Sequence, residues 1–190
     1  MKQAELRRVE TRRDEMNVGD LALAGLLVAL GLVLHGIFPG IVAGMKPDFS
    51  LIMLFIAILV IPDKKVAAVT GLATAVITAM TTSFPGGHIA NIVDKIITTA
   101  VVMAMAAFWP EVLPKRVLIP TVGVLGTLVS GVVFLRTAAL LADLPAAFTQ
   151  LFVSVVLPAA AINTAALLLL YPLAAKLYSM QTFRSMRTAK

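Results

Sequence analysis

Apolar residues in this chain come in long blocks rather than in alternation. Six runs stand out: Leu21 to Phe38, Phe49 to Pro62, Val66 to Ser83, Asn91 to Trp109-Pro110, Val117 to Ala142, and Phe148 to about Ala175. A helix crosses hydrocarbon about 30 Å thick with about 20 mostly apolar residues, at 1.5 Å each. The second run is short, about 21 Å by that rise, and is expected to be tilted, partly shielded by a loop, or extended through Asp48. The breaks are equally informative. Pro39 to Pro47, Asp63-Lys64-Lys65, Lys115-Arg116 and Asp143-Leu144-Pro145 interrupt the pattern, and Phe84-Pro85-Gly86-Gly87-His88 reads as a turn by its Pro-Gly-Gly chemistry. The pattern predicts an all-α fold: a polytopic membrane helical bundle of six transmembrane helices. Residues 1–20 read as a cytoplasmic lead-in, 21–178 as the transmembrane domain and 179–190 as a cytoplasmic tail.

Charge sets the orientation. With the N-terminus inside, the inner segments hold Lys2, Arg7, Arg8, Arg12, Arg13, Lys64, Lys65, Lys115, Arg116, Lys176, Arg184, Arg187 and Lys190, which is 13 of the 16 basic residues. The outer loops hold only Lys46, while Lys95 and Arg136 fall within spans. This asymmetry obeys the positive-inside rule and predicts both termini in the cytoplasm. Composition agrees: 59% of residues are hydrophobic and 14% charged, where soluble domains run at about 25% charged. The net charge of +6 lies in short clusters between apolar runs, a distribution suited to anionic lipid rather than to a nucleic-acid groove. A basic stretch before an apolar one also resembles a secretory signal, but no small-residue cleavage pattern closes it and five further runs follow.

Candidate chemistry gathers on the outer half. Lys46 and Asp48 flank Pro47, and His88 lies in the third connection. Asn91, Asp94, Lys95 and Thr98 follow an i, i+3, i+4, i+7 spacing that puts them on one helical face. A zwitterionic ligand needs such a set, with an acceptor for its ammonium and a cation for its carboxylate. Alternatively Asp94 and Lys95 sit at the interface and offset each other, or pair with Lys46 and Asp48. Gly86 and Gly87 just ahead let backbone approach a ligand closely. Arg136, about 9 Å from the end of the fifth run, either snorkels to headgroups or clamps a carboxylate. Thr127, Ser130 and Thr137 share a stripe with Phe134. Asn163, beyond Pro158, reads as hydrogen-bonding between helices or to backbone freed by the proline, ahead of a ligand contact. Phe84 and Phe134 offer aromatic walls for a ring-bearing ligand. Gly25 and Ala29, with Ala22 a turn earlier, form a small-residue stripe open to close helix approach.

Several classes are excluded or disfavoured. Cysteine is absent, which removes disulfides, thiol catalysis and Cys-ligated metals. There is no phosphate-binding P-loop, no nucleophile elbow, no His/Glu metal spacing, and only His35 and His88 for general acid–base work. An enzyme is disfavoured, and no cofactor is expected.

Two segments carry a resemblance. Gly44-Met45-Lys46-Pro47-Asp48 and Thr81-Thr82-Ser83-Phe84-Pro85-Gly86-Gly87-His88-Ile89-Ala90-Asn91-Ile92-Val93-Asp94-Lys95 resemble the bacterial tryptophan transporter family TrpP. The likeness runs from about residue 20 to 178, and includes Ser130 to Leu135 and Leu157-Pro158-Ala159. That family in turn resembles the S components of energy-coupling factor transporters. The resemblance implies a six-helix subunit that captures L-tryptophan from outside. It also implies partners: a transmembrane T protein and two cytoplasmic ATPases. In S components the first helix commonly presents an A-x-x-x-A pattern to the T protein; here Gly25 replaces the first Ala, with Ala29 the second. The expected substrate contacts are Lys46, Asp48, Phe84, Gly86, Gly87, Asn91, Asp94, Lys95, Phe134 and Arg136. Rival expectations are a stand-alone secondary transporter, proton-coupled through Asp94, an S component for a vitamin, and an intramembrane enzyme or structural subunit.

Overall fold

A computed structural model describes residues 16–37 and 47–188; Lys46 and most of the N-terminal lead-in lie outside the described residues. Six helices follow one another with no strand among the described residues: α1 (Val18–Ile37), α2 (Phe49–Val60), α3 (Lys64–Thr81), α4 (Gly87–Ala107), α5 (115–141) and α6 (148–188). Four of these, α1, α4, α5 and α6, are long and apolar enough to cross a membrane. Their outward faces carry large apolar side chains such as Leu26, Leu140 and Leu169, more than 60% exposed. That surface requires hydrocarbon around it.

The short second run has a physical explanation. Every residue from Phe49 to Ile58 is buried, and α2 touches all five other helices. A helix that is hydrophobic all round belongs in the interior. At 12 residues it rises about 18 Å, too little to span hydrocarbon, but its neighbours shield it. Asp48 begins the helix as its N-cap, with Oδ1 accepting from Leu51 N at 3.1 Å.

Other boundaries shift for similar local reasons. Asp63 Oδ1 accepts from Lys65 N at 2.8 Å, so α3 starts inside the charged break rather than after it. α4 begins a turn earlier than expected, at Gly87, because Gly86 adopts φ 68° and reverses the chain there. α6 continues past Ala175 through Thr188, into the residues expected to form a tail.

α5 and α6 each contain a five-residue π-helical turn, Val122–Gly126 and Phe152–Val156. Pro120 precedes the first and Pro158 follows the second, where a missing N–H disturbs the regular ladder. The first π turn brings Gly126 against the buried ring of Phe55, which a Cβ would meet at 2.7 Å. Tight approach of this kind replaces the hydrophobic effect as the cohesive force between helices in lipid.

The bundle thus has two unlike ends. Lys64, Lys65, Lys115, Arg116, Lys176, Arg184 and Arg187 lie at one. At the other meet the C-terminal ends of α1, α3 and α5 and the N-terminal ends of α2, α4 and α6. A cavity opens into the protein there.

Candidate functional site

All six helices line this cavity, whose volume is about 610 Å³, within the roughly 300–1,000 Å³ usual for small-molecule sites. Its polar part is built on the α4 face anticipated from spacing. Asn91, Asp94, Lys95 and Thr98 are all buried, the last three at 2% exposure or less. They are not a solvated helix end.

Asp94 is fully engaged by the protein. Its Oδ1 accepts from Thr98 Oγ1 at 2.8 Å, and its Oδ2 accepts from Lys95 Nζ at 2.6 Å and Ser130 Oγ at 2.9 Å. Lys95 Nζ also lies 3.5 Å from Ser130 Oγ and 3.6 Å from Asp48 Oδ2. The two ion pairs differ in kind. The Asp94 side chain is 1% exposed and its pair short, whereas Asp48 is 33% exposed and its pair long. Two carboxylates therefore face one ammonium; both line the cavity, and Asp48 is by far the more exposed of them. Such buried charge is costly unless held by hydrogen bonds, which the hydroxyls of Thr98 and Ser130 supply.

Asp48 is held by its backbone. Its N–H donates to Asn163 Oδ1 at 2.8 Å, and Asn163 Nδ2 donates to Thr127 Oγ1 at 3.4 Å. One amide side chain on α6 thus joins the start of α2 to α5, the interhelical role expected of it. Nearby, His35 Nδ1 stands 3.8 Å from Asp48 Oδ1.

The apolar wall contains Phe84 and Phe134, whose rings meet edge to face with centroids 5.2 Å apart. Phe84 comes from the α3–α4 turn and Phe134 from α5. Both remain half-buried, leaving ring surface for a ligand.

Other expected residues fall elsewhere. Arg136 is exposed and does not line the cavity; its guanidinium sits 4.3 Å from the Phe148 ring centroid. Gly86 and Gly87 do not line it either. Gly86 makes the turn, and a Cβ on Gly87 would meet Thr82 Oγ1 at 2.6 Å, so both serve chain reversal and packing. His88 Nδ1 donates to Ala79 O at 2.7 Å. Gly25 and Ala29 are exposed on α1, with nothing within 4 Å of an added Cβ at Gly25. Lys46 lies outside the described residues.

Sequence reading left Ser130, Thr127, His35 and Thr78 out of the site, and the cavity includes all four. The available signal was the hydroxyl stripe on α5, but its partner across the interface was not visible in one dimension. Among the described residues no group of His, Asp and Glu is placed to hold a metal ion.

Comparison with known proteins gives a consistent answer. The family described as "Tryptophan transporter TrpP" matches residues 17–179. A "Probable tryptophan transport protein" of Clostridium acetobutylicum is 46% identical over 149 residues, covering 78% of this chain and 86% of the relative. A protein of Bacillus subtilis with the same description is 38% identical over 168 residues, covering 88% and 97%. One from Clostridium perfringens is 41% identical over 165 residues, covering 82% and 91%. No solved structure matches the chain.

Proposed function

The chain belongs to the TrpP family of tryptophan transporters, and from that premise we propose that its cavity captures L-tryptophan between Asp48 and Lys95. The carrying observation is the contrast between the two ion pairs of Lys95, 2.6 Å to Asp94 and 3.6 Å to Asp48. The longer pair is the one a zwitterion can open without changing the charge of the site. The ligand ammonium goes to Asp48, the ligand carboxylate to Lys95 with Asn91 beside it, and Asp94 stays behind as the fixed counter-ion of Lys95. The indole then rests on Phe84 and Phe134, whose faces suit a large flat ring.

The finer reading is a capture subunit of the energy-coupling factor type. Its termini are cytoplasmic and its cavity faces outward, as the basic residues at the opposite end favour. A T protein docks at Gly25 and Ala29, and two ATPases supply the energy. Supporting this are the six-helix architecture and the exposure of both small residues on α1. Two measurements test it. Calorimetric titration of the purified chain with L-tryptophan should give saturable one-site binding, and absence of binding refutes the site. Vesicles containing the chain alone should accumulate no tryptophan; uptake without ATPases assigns stand-alone secondary transport instead.

A further inference from the structure

We infer that Thr78 accepts a hydrogen bond from the indole N–H and so makes the site selective for that ring over other aromatics. This rests on tryptophan being the ligand. Thr78 lines the cavity from α3 and is half-buried. Its hydroxyl lies 2.8 Å from Thr74 O and 3.2 Å from Ala75 O. Carbonyl oxygens only accept, so the single hydroxyl hydrogen is committed to the helix backbone. What remains on Oγ1 is acceptor capacity. A ring N–H suits that site, and a ring without a donor leaves it unsatisfied.

The neighbouring hydroxyls fit less well. Thr82 Oγ1 already accepts from Phe84 N at 3.2 Å, and Thr81, the last residue of α3, and Ser83 beyond it are exposed.

Depth supports the assignment. Gly71 and Thr99 pack together where α3 and α4 run antiparallel. Measured from that contact, Lys95 lies about 6 Å, and Thr78 about 10.5 Å, towards the cavity end. On α5, Phe134 stands four residues, about 6 Å, beyond the Ser130 that bonds Asp94. Thr78 therefore sits above the charged layer and near the level of the aromatic wall, where an indole would lie when its amino-acid end reaches Lys95.

The test compares L-tryptophan with 3-(3-benzothienyl)-L-alanine, in which sulfur replaces the ring N–H with little change of shape. Wild-type protein should bind tryptophan about tenfold tighter, because a site built to bond a polar group rejects the analogue lacking it. Thr78→Val should lose about that factor for tryptophan and almost nothing for the analogue. Thr78→Ser should keep the preference. Equal affinity of wild-type protein for the two ligands overturns the inference while leaving tryptophan binding intact, and needs no variant to fold. So does a preference that survives in Thr78→Val, or an equal loss for both ligands there. Failure of wild-type protein to bind tryptophan at all removes the underlying reading together with this one.

Discussion

The backbone N–H of Asp48 donates to Asn163 Oδ1 at 2.8 Å, across 115 positions of sequence. The bond sets where α2 begins, and hence where the Asp48 carboxylate points. Asn163 is 1% exposed, so Asn163→Leu leaves the half-buried Asp48 N–H without its acceptor on one side and the buried Thr127 hydroxyl without its donor on the other. A stability loss of about 1–3 kcal/mol is expected, read as a lower melting temperature in detergent. Tryptophan affinity should fall with it.

The two carboxylates should respond differently to neutralisation. Asp48→Asn removes the more exposed of the two cavity-lining anions, and a charge-assisted bond contributes about 1.5–3 kcal/mol. Tryptophan and tryptamine, which carry the ammonium, should bind about tenfold or more weakly. Indole-3-propionate, which lacks it, should be nearly unaffected. Asp94→Asn breaks a buried pair instead, and should cost about 3–5 kcal/mol of stability and weaken all three ligands. Calorimetry with the three ligands and a thermal melt separate the cases; the reverse pattern exchanges the roles of the two residues.

Only one of the two cations in the spans meets the cavity. Lys95→Met should weaken tryptophan and indole-3-propionate far more than tryptamine. Arg136→Met should leave all three affinities within about twofold, since its guanidinium rests on Phe148 outside the cavity. A large selective loss in Arg136→Met would place the carboxylate clamp on α5.

Membrane orientation is directly measurable because the chain has no cysteine. Single cysteines at Lys65 and His88 stand at the two ends of the bundle. A membrane-impermeant thiol reagent should reach His88→Cys from outside and Lys65→Cys only after permeabilisation. Labelling of both from outside overturns the proposed placement of the two ends on opposite sides of the membrane.

Coupling to a partner should be separable from binding. Gly25 and Ala29 face away from the bundle, so Gly25→Leu and Ala29→Leu should leave melting temperature and tryptophan affinity of the isolated protein unchanged. Tryptophan uptake in the assembled transporter should drop because close helix approach is lost. Unchanged uptake removes these residues from the coupling surface.

Hydropathy alone determined that the chain is an all-helical membrane protein with six apolar runs, because transfer into lipid depends on local composition along one axis. The spacing from Asn91 to Thr98 likewise announced a polar face on α4, since helical periodicity is a local property. What that face does was decided elsewhere in the chain. Asp94 is tied to α5 because Ser130 comes to it across 36 positions, and Asp48, the more exposed carboxylate, is fixed at the start of α2 because Asn163 holds its backbone. Arg136, also a charge within a predicted span, turned outward onto Phe148. The short run at Phe49 read as an imperfect span and proved to be the centre of the bundle, since whether an apolar helix meets lipid or protein depends on its neighbours. Local sequence sets which groups are costly to bury; only packing between distant helices decides which partners they find there, and which of them are left facing a ligand.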